Sequence, residues 1–461
     1  MSEAIPCHTP SDVLQQRRAR LAELVPGPIL LAGHGELPRN YLANPHRFRQ
    51  DSTFLYFVGL AMPGAAAVIE DGRTTLYLPA EDPGDVLWHG EVPSHVDLAR
   101  AVGADAVAPI SALLPADRHA LPMADSAANR QAAAWSQRPL DPARPVATAS
   151  PELLAAVVTL RSVRDSSDLL AMRHALVVTE RAHRAAMAAT VPGLSEFKLA
   201  GIVDGCIQQA GMVPAYGTIC TVRGEVLHGR PTIRCIGDGQ LLLLDAGAEE
   251  PGGFASDITR TWPVSGRFTE RQAAVYDAVL AAQEASIALV RPGVRYRDVH
   301  LASCRVLASF LRDEGLLRGE VDGLVEQGAH AAFFPHGVGH LLGLDVHDLE
   351  LYGDAASYPA GRERSAQFGL SYLRLDRDLE PGMVVTIEPG LYFVPAILND
   401  PRLRERLGGA VDWSAACDWL PFGGIRIEDD VLCADEGPVV LSETIPKQRA
   451  DLEVLIGAEL D

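Results

Sequence analysis

The stretch that most restricts what this chain can fold into is residues 241–262, LLLLDAGAEEPGGFASDITRTW. Two aspartates stand in it twelve positions apart, Asp245 at the end of four leucines and Asp257 at the head of a β-rich run, Ile258-Thr-Arg-Thr-Trp. Between them Glu250-Pro-Gly-Gly is strong turn chemistry. The simplest structure is a β-hairpin that brings both carboxylates together on neighbouring strands. A carboxylate closing an apolar strand needs a partner, because burying it unpaired costs several kcal/mol. A cation between the two relieves both the desolvation and the repulsion. The competing reading is that each aspartate caps a turn or pairs with Arg260 or Arg267.

Three later stretches also put polar groups where strands bury them. Residues 333–348, FFPHGVGHLLGLDVHD, hold His336, His340 and His347 among apolar neighbours. One such histidine is commonly a satisfied core residue; three within 12 positions ask for more. Gly337 and Gly339 argue against a helical pair of zinc-binding histidines there. Residues 383–390, MVVTIEPG, read as a buried strand ending in Glu388 before a turn. In FGGIRIEDD, residues 422–430, alternation sets Arg426 and Glu428 on one face, where they could equally form a mutual ion pair. Together these stretches offer four carboxylates, Asp245, Asp257, Glu388 and Glu428, and one imidazole, His340. That donor set suits two divalent cations bridged by carboxylates. Oxygen-rich ligands favour Mn²⁺, with Co²⁺, Fe²⁺ or Zn²⁺ as alternatives, and a hydrolysis by metal-activated water. No thiolate joins the set, which argues against a structural zinc site.

The remaining chain supplies scaffolding. Residues 11–25 read as a capped amphipathic helix, 28–33 as a buried strand, and 48–59 as a polar loop leading into an aromatic strand. Asp71-Gly72 marks a hairpin between 65–70 and 74–79, and 98–108 fits a short helix and strand. These make a small α/β domain without any cluster of acids, bases or ligands. Residues 136–151 read as a connection. From 151 onward helices are expected over 151–189 (broken near 162–167), 195–211, 269–291 and 296–314, and strands over 217–222, 240–246 and 256–263. A terminal strand and helix are expected in 443–460. Helix pairs alternating with antiparallel strands twice between 165 and 445 suggest a duplicated α/β unit. No apolar run reaches the ~20 residues of a membrane span. The N-terminus lacks a basic-then-apolar leader, and seven scattered cysteines form no C-x-x-C pair, which together point to a reducing cytoplasm. A net charge of −20 argues against nucleic acid and anionic membrane as partners.

These residues resemble the pita-bread metallopeptidases, specifically their aminopeptidase P and prolidase branch. The motifs are LDAG (244–247), SDITRT (256–261), HGVGH (336–340), LDVHD (344–348), TIEPGLY (386–392) and IRIEDD (425–430), with FRQDS (48–52) resembling the accessory domain. The resemblance implies an α/β (α+β) fold: an N-terminal accessory domain over 1–160 and a pita-bread catalytic domain over 161–461. It implies that Asp245, Asp257, His340, Glu388 and Glu428 bind two metals, and that Glu388 also shuttles the proton of water. His347 and His228 match histidines that contact the substrate carbonyl and the proline side, and His336 a further active-site histidine. Arg426 matches an arginine that orders the ligand-bearing strand and the substrate. Tyr216 and Tyr392 match active-site tyrosines. The loop before His228 is shorter than in many relatives. A homodimer or tetramer is implied as well.

The implied substrates are peptides with proline in the second position. FLYF (54–57), DAG (245–247), TRT (259–261) and EDD (428–430) read like aminopeptidase P. Residues 367–383 instead resemble a prolidase segment, whose Arg374 would grip a dipeptide's terminal carboxylate bidentately, or would lie in a surface loop beside Asp376 and Asp378. A pita-bread binding protein without catalysis is a more distant reading, since such proteins typically lack the ligands kept here. A creatinase-like hydrolase is weaker still, because that lineage lacks the metal set.

Overall fold

Short apolar runs near the N-terminus form a four-stranded sheet in the computed structural model, which describes residues 9–80, 87–88, 90 and 93–458. Its strands β1 (Ile29–Ala32), β2 (Ala66–Glu70), β3 (Arg73–Leu78) and β4 (Ala106–Pro109) lie in that order, antiparallel except for the β3/β4 pair. Asp71 and Gly72 take φ of 50° and 73°, the left-handed pair that a two-residue hairpin turn demands. Helix His95–Ala101 makes the crossover that a parallel neighbour needs. These elements belong to a unit made of Met1–Ala171, Pro251–Gly253 and Leu349–Ala356.

Two expectations in this unit are corrected. Residues 52–58 are not an aromatic strand but a fully buried helix, Ser52–Val58. Asp51 accepts the Phe54 N–H as its N-cap and Gly59 closes it in the left-handed conformation, so two end signals outweighed the β propensity of Phe, Tyr and Val. Helix Ser11–Leu24 forms as expected, but Pro10 precedes it without a side-chain cap.

The second unit, Met172–Glu250, Phe254–Asp348 and Ser357–Asp461, shows the expected doubling. Helices Ser166–Ala188 and Glu196–Gln209 precede a sheet of β6 (Ile219–Thr221), β7 (Leu241–Asp245) and β9 (Thr259–Pro263). Helices Glu270–Ile287 and Tyr296–Asp313 precede a sheet of β10 (Val384–Ile387), β13 (Asp429–Ala434) and β14 (Gly437–Val440). Two short antiparallel pairs extend the strands: β5 (Val213–Pro214) with β8 (Ala248–Glu249), and β11 (Gly390–Tyr392) with β12 (Gly424–Arg426). Trp262, Tyr276, Tyr296, Phe333, Phe334 and Phe393 are fully buried in its core. The strand expected near 443 is absent. Pro446 there has no N–H for a ladder, and the carbonyls of Ile445 and Pro446 accept instead from the buried Arg260 guanidinium. Only the terminal helix, Arg449–Leu455, forms.

The expected hairpin is present but broken. β7 and β9 pair antiparallel with Asp245 opposite Thr259. Strand β8 and a Glu249–Ala255 bridge interrupt the connection, so Asp257 stands two residues before β9 begins. Asp245 ends β7, Glu388 follows β10 and Glu428 precedes β13. Carboxylates at strand ends are free of the ladder and can aim into one shared space.

Candidate metal centre

Asp257, His340 and Glu428 present ligand atoms that all lie within 4.8 Å of one another. His340 Nε2 is 3.4 Å from Asp257 Oδ2 and 3.7 Å from Glu388 Oε1. Asp245 joins through Tyr216, whose hydroxyl lies 2.6 Å from Asp245 Oδ1 and 2.5 Å from Asp257 Oδ1. Among the described residues, then, all five ligands expected from sequence converge on one region of the second unit. Four are buried; Glu388 is the most accessible, with 17% of its side chain exposed.

The donor set fits divalent cations on three observations. The first is charge: four carboxylates face one guanidinium, Arg426, which ion-pairs with Asp245 at 2.5 Å. Burial, reinforced by the neighbouring carboxylates, raises the pKa of Asp257 and drives that of Glu428 well up. Burial likewise lifts Glu388 to about 7, Asp257 and Asp245 adding to it against the pull of His340 and Arg426. Such a surplus of buried negative charge is what a cation neutralises. The second is the tautomer of His340. Its Nδ1 lies 3.0 Å from the Leu341 carbonyl and so donates, which leaves the Nε2 lone pair facing the carboxylates. Burial disfavours charge on this ring, yet Asp257 and Glu388 raise its pKa. The third is Tyr216, whose single hydroxyl proton cannot serve two carboxylates at once.

A ring of polar side chains holds these groups. Thr259 Oγ1 accepts from Arg426 Nε at 3.0 Å and donates to Glu428 Oε2 at 2.7 Å, so one hydroxyl links the arginine to the carboxylate. Arg426 and Glu428 therefore meet through Thr259, not as the direct ion pair considered above. Arg260, fully buried, pairs with Asp429 at 2.8 Å and donates to the Glu428 carbonyl. Arg267 is bound to Glu453. Neither arginine takes Asp245 or Asp257. Asp430 accepts the Asp257 N–H at 3.2 Å. Thr386 Oγ1 accepts the His340 N–H, and the Thr386 N–H donates back to the His340 carbonyl. Gly339, at φ 155°, lets that clamp form, since a Cβ there would sit 2.1 Å from the Thr386 carbonyl oxygen. The sequence gives no sign of the roles of Thr259, Thr386 and Asp430, although all three lie inside the quoted motifs; Arg260, considered above as a partner of the aspartates, pairs with Asp429 instead. Neutral or paired residues carry no sign of unusual chemistry until their partners are known.

The remaining expected residues surround the carboxylates. His336 Nδ1 donates to the Gly337 carbonyl at 2.8 Å, and its Nε2 accepts from the Tyr392 hydroxyl at 2.9 Å. Arg426 Nη1 donates to that hydroxyl at 3.4 Å. Both nitrogens of His336 are thereby engaged, and burial depresses it to about 3. His347 packs edge-on against His340, with centroids 4.3 Å apart. Burial, then the fields of His340, Arg374 and His228, hold it near 2. Arg374 Nη1 is 3.4 Å from His347 Nδ1. The acids beside Arg374 are taken by others, Asp376 by Arg295 and Asp378 by Arg362. His228 is exposed in a turn after β6 and acts on His336 and His347 through its field.

Residues 171–435 match the model of metallopeptidase family M24, and residues 14–122 that of the aminopeptidase P N-terminal domain. The chain is 31% identical to the Xaa-Pro aminopeptidase of Escherichia coli, over 96% of this chain and 97% of that one. It is also 31% identical to human Xaa-Pro dipeptidase, over 93% and 88%. The aminopeptidase PepP of Pseudomonas aeruginosa superposes with a TM-score of 0.80 at 31% identity, covering 97% and 98% of the two chains.

Proposed function

The chain belongs to metallopeptidase family M24, and from that premise we propose that it is a proline-directed exopeptidase of aminopeptidase P type, releasing an N-terminal residue from a following proline. The observation that carries this reading is the convergence of Asp245, Asp257, His340, Glu388 and Glu428 around unneutralised buried charge. These five would hold two divalent ions, of which the oxygen-rich donor set favours Mn²⁺. Bound there, the ions supply Lewis acidity and a water that ionises near neutral pH.

The chain's own groups do the rest. Glu388, accessible and raised towards neutrality, accepts a proton from water and returns it to the departing proline nitrogen. His347, kept neutral by burial, donates an N–H to the scissile carbonyl as charge develops on its oxygen. His228 borders the proline side. His336, engaged at both nitrogens, fixes Tyr392 and through it Arg426. Tyr216 holds Asp245 and Asp257 in register. The catalytic domain is taken as residues 161–461, working in the cytoplasm as a homo-oligomer. No helix of the described residues is long and apolar enough to cross a membrane.

A dipeptidase reading is supported by one contact, Arg374 against His347, because a guanidinium beside that histidine would suit a dipeptide's terminal carboxylate. Hydrolysis of an Xaa-Pro dipeptide and an Xaa-Pro-Yaa tripeptide, after chelation and again with Mn²⁺, separates the two. Cleavage of both upholds the aminopeptidase reading; cleavage of the dipeptide alone, lost in Arg374→Ala, makes the chain a dipeptidase. Cleavage of neither with any divalent metal overturns both. Asp257→Asn, folded but no longer metal-activated, is the matching control.

A further inference from the structure

Away from the carboxylates, the second unit holds another group of ligand-type side chains. His300 and Cys304 stand four apart on helix Tyr296–Asp313, and His330 lies in the 3₁₀ turn Ala329–Ala332. Their exposures are 0%, 0% and 1%. One ligand atom from each lies within 4.8 Å of the others. Spacing of i and i+4 sets His300 and Cys304 on the same helix face. His300 Nε2 and Cys304 Sγ are 3.3 Å apart. Metal–nitrogen and metal–sulfur bonds of ~2.0 and ~2.3 Å at a tetrahedral angle put the two atoms about 3.5 Å apart.

The polar atoms are otherwise unsatisfied. His300 Nδ1 and both ring nitrogens of His330 lack hydrogen-bond partners in the packed interior. The Leu324 backbone acts on His330 from nearby without well-formed bonding geometry. Buried nitrogens without partners are rare, and each costs about 1–3 kcal/mol. Burial keeps both rings neutral, with lone pairs to give. Phe334 stands between this group and the first site, its ring 5.4 Å from His300 and 4.9 Å from His336.

We propose that His300, Cys304 and His330 form a second metal site, holding one thiolate-preferring ion, Zn²⁺ or Cu⁺, in the interior of the catalytic unit. Two imidazoles and a thiolate are soft to borderline donors, the opposite of the carboxylate-rich first site. Binding transfers the Cys304 proton to solvent and forms the metal–sulfur bond. With Cu⁺ the site is neutral and complete with three ligands; with Zn²⁺ it keeps one positive charge and would need a fourth donor, such as a water, that these three residues do not supply. The ion ties the helix to the turn that leads into His336 and His340. Since the site is closed, it loads as the chain folds.

The test uses full-length protein produced in medium containing Co²⁺, Zn²⁺ or Cu⁺. A sulfur-to-cobalt charge-transfer band needs a thiolate ligand, which the first site lacks. The expected result is that band in the wild type and in Asp257→Asn, and its absence in Cys304→Ser. Metal analysis should find about one Zn or Cu fewer per chain in Cys304→Ser, and the arm showing that loss identifies the ion. A band surviving in Cys304→Ser overturns the proposal. So does a wild type with no band whose zinc and copper contents equal those of Cys304→Ser. The wild-type spectrum stands even if a variant misfolds.

Discussion

Thr259 uses one hydroxyl in two directions, accepting from Arg426 and donating to Glu428. Thr259→Val keeps the shape and removes both bonds. Groups that orient a metal ligand in this way typically contribute about 10–100-fold to affinity or activity, so the divalent-metal activation curve should shift by that factor while the circular dichroism spectrum is unchanged. A second residue-scale expectation concerns His183. It is wholly buried, its Nε2 donates to the Ala246 carbonyl beside Asp245, and burial depresses its pKa from 6.5 to about 4. The unfolded chain protonates first as pH falls. The stability held by the neutral ring is therefore complete above pH ~6.5 and is lost progressively towards ~4, amounting to a few kcal/mol. Denaturant unfolding across that window should show the decline, and His183→Asn should flatten it.

At the scale of elements, the site depends on strands that stop. Asp245, Glu388 and Glu428 sit at the ends of β7, β10 and β13, and backbone clamps set where each end points. The tightest is the exchange of hydrogen bonds between His340 and Thr386, which Gly339 permits. Gly339→Ala would drive a methyl into the Thr386 carbonyl and shift His340. Activity should fall by about a hundredfold or more, as a misplacement near 1 Å does. Unaltered kinetics in a well-folded Gly339→Ala protein would contradict the clamp. Helix positions and the doubled layout were legible because their periodicity and end signals are local. Helix Ser52–Val58 is not legible as a helix because apolar and aromatic residues fill every position from Phe54 to Val58, leaving no period to distinguish helix from strand.

At the scale of the whole molecule, an ion that binds the folded chain alone stabilises it by mass action. At a concentration 100 times Kd this is worth about 2.7 kcal/mol per site. Chelation should lower the Tm of the wild type by several degrees and have a smaller effect on Asp257→Asn. An equal response of the two proteins would separate the stabilising ion from the carboxylate site.

The linear chain determined which residue types could meet a metal: carboxylates closing apolar strands, histidines among glycines, and turns that force returns. These are local signals, since a charge in an apolar run needs an explanation wherever it folds. Only the tertiary structure decided the partners. It gave Arg426 to Asp245 instead of Glu428, set one threonine hydroxyl between two sheets, fixed the tautomer of His340 through a neighbouring carbonyl, and brought His330 to a helix thirty residues earlier. Hydrogen bonds and ligand sets depend on distances of a few tenths of an ångström between segments far apart in sequence. Composition and spacing carry no information about those distances until the core has packed.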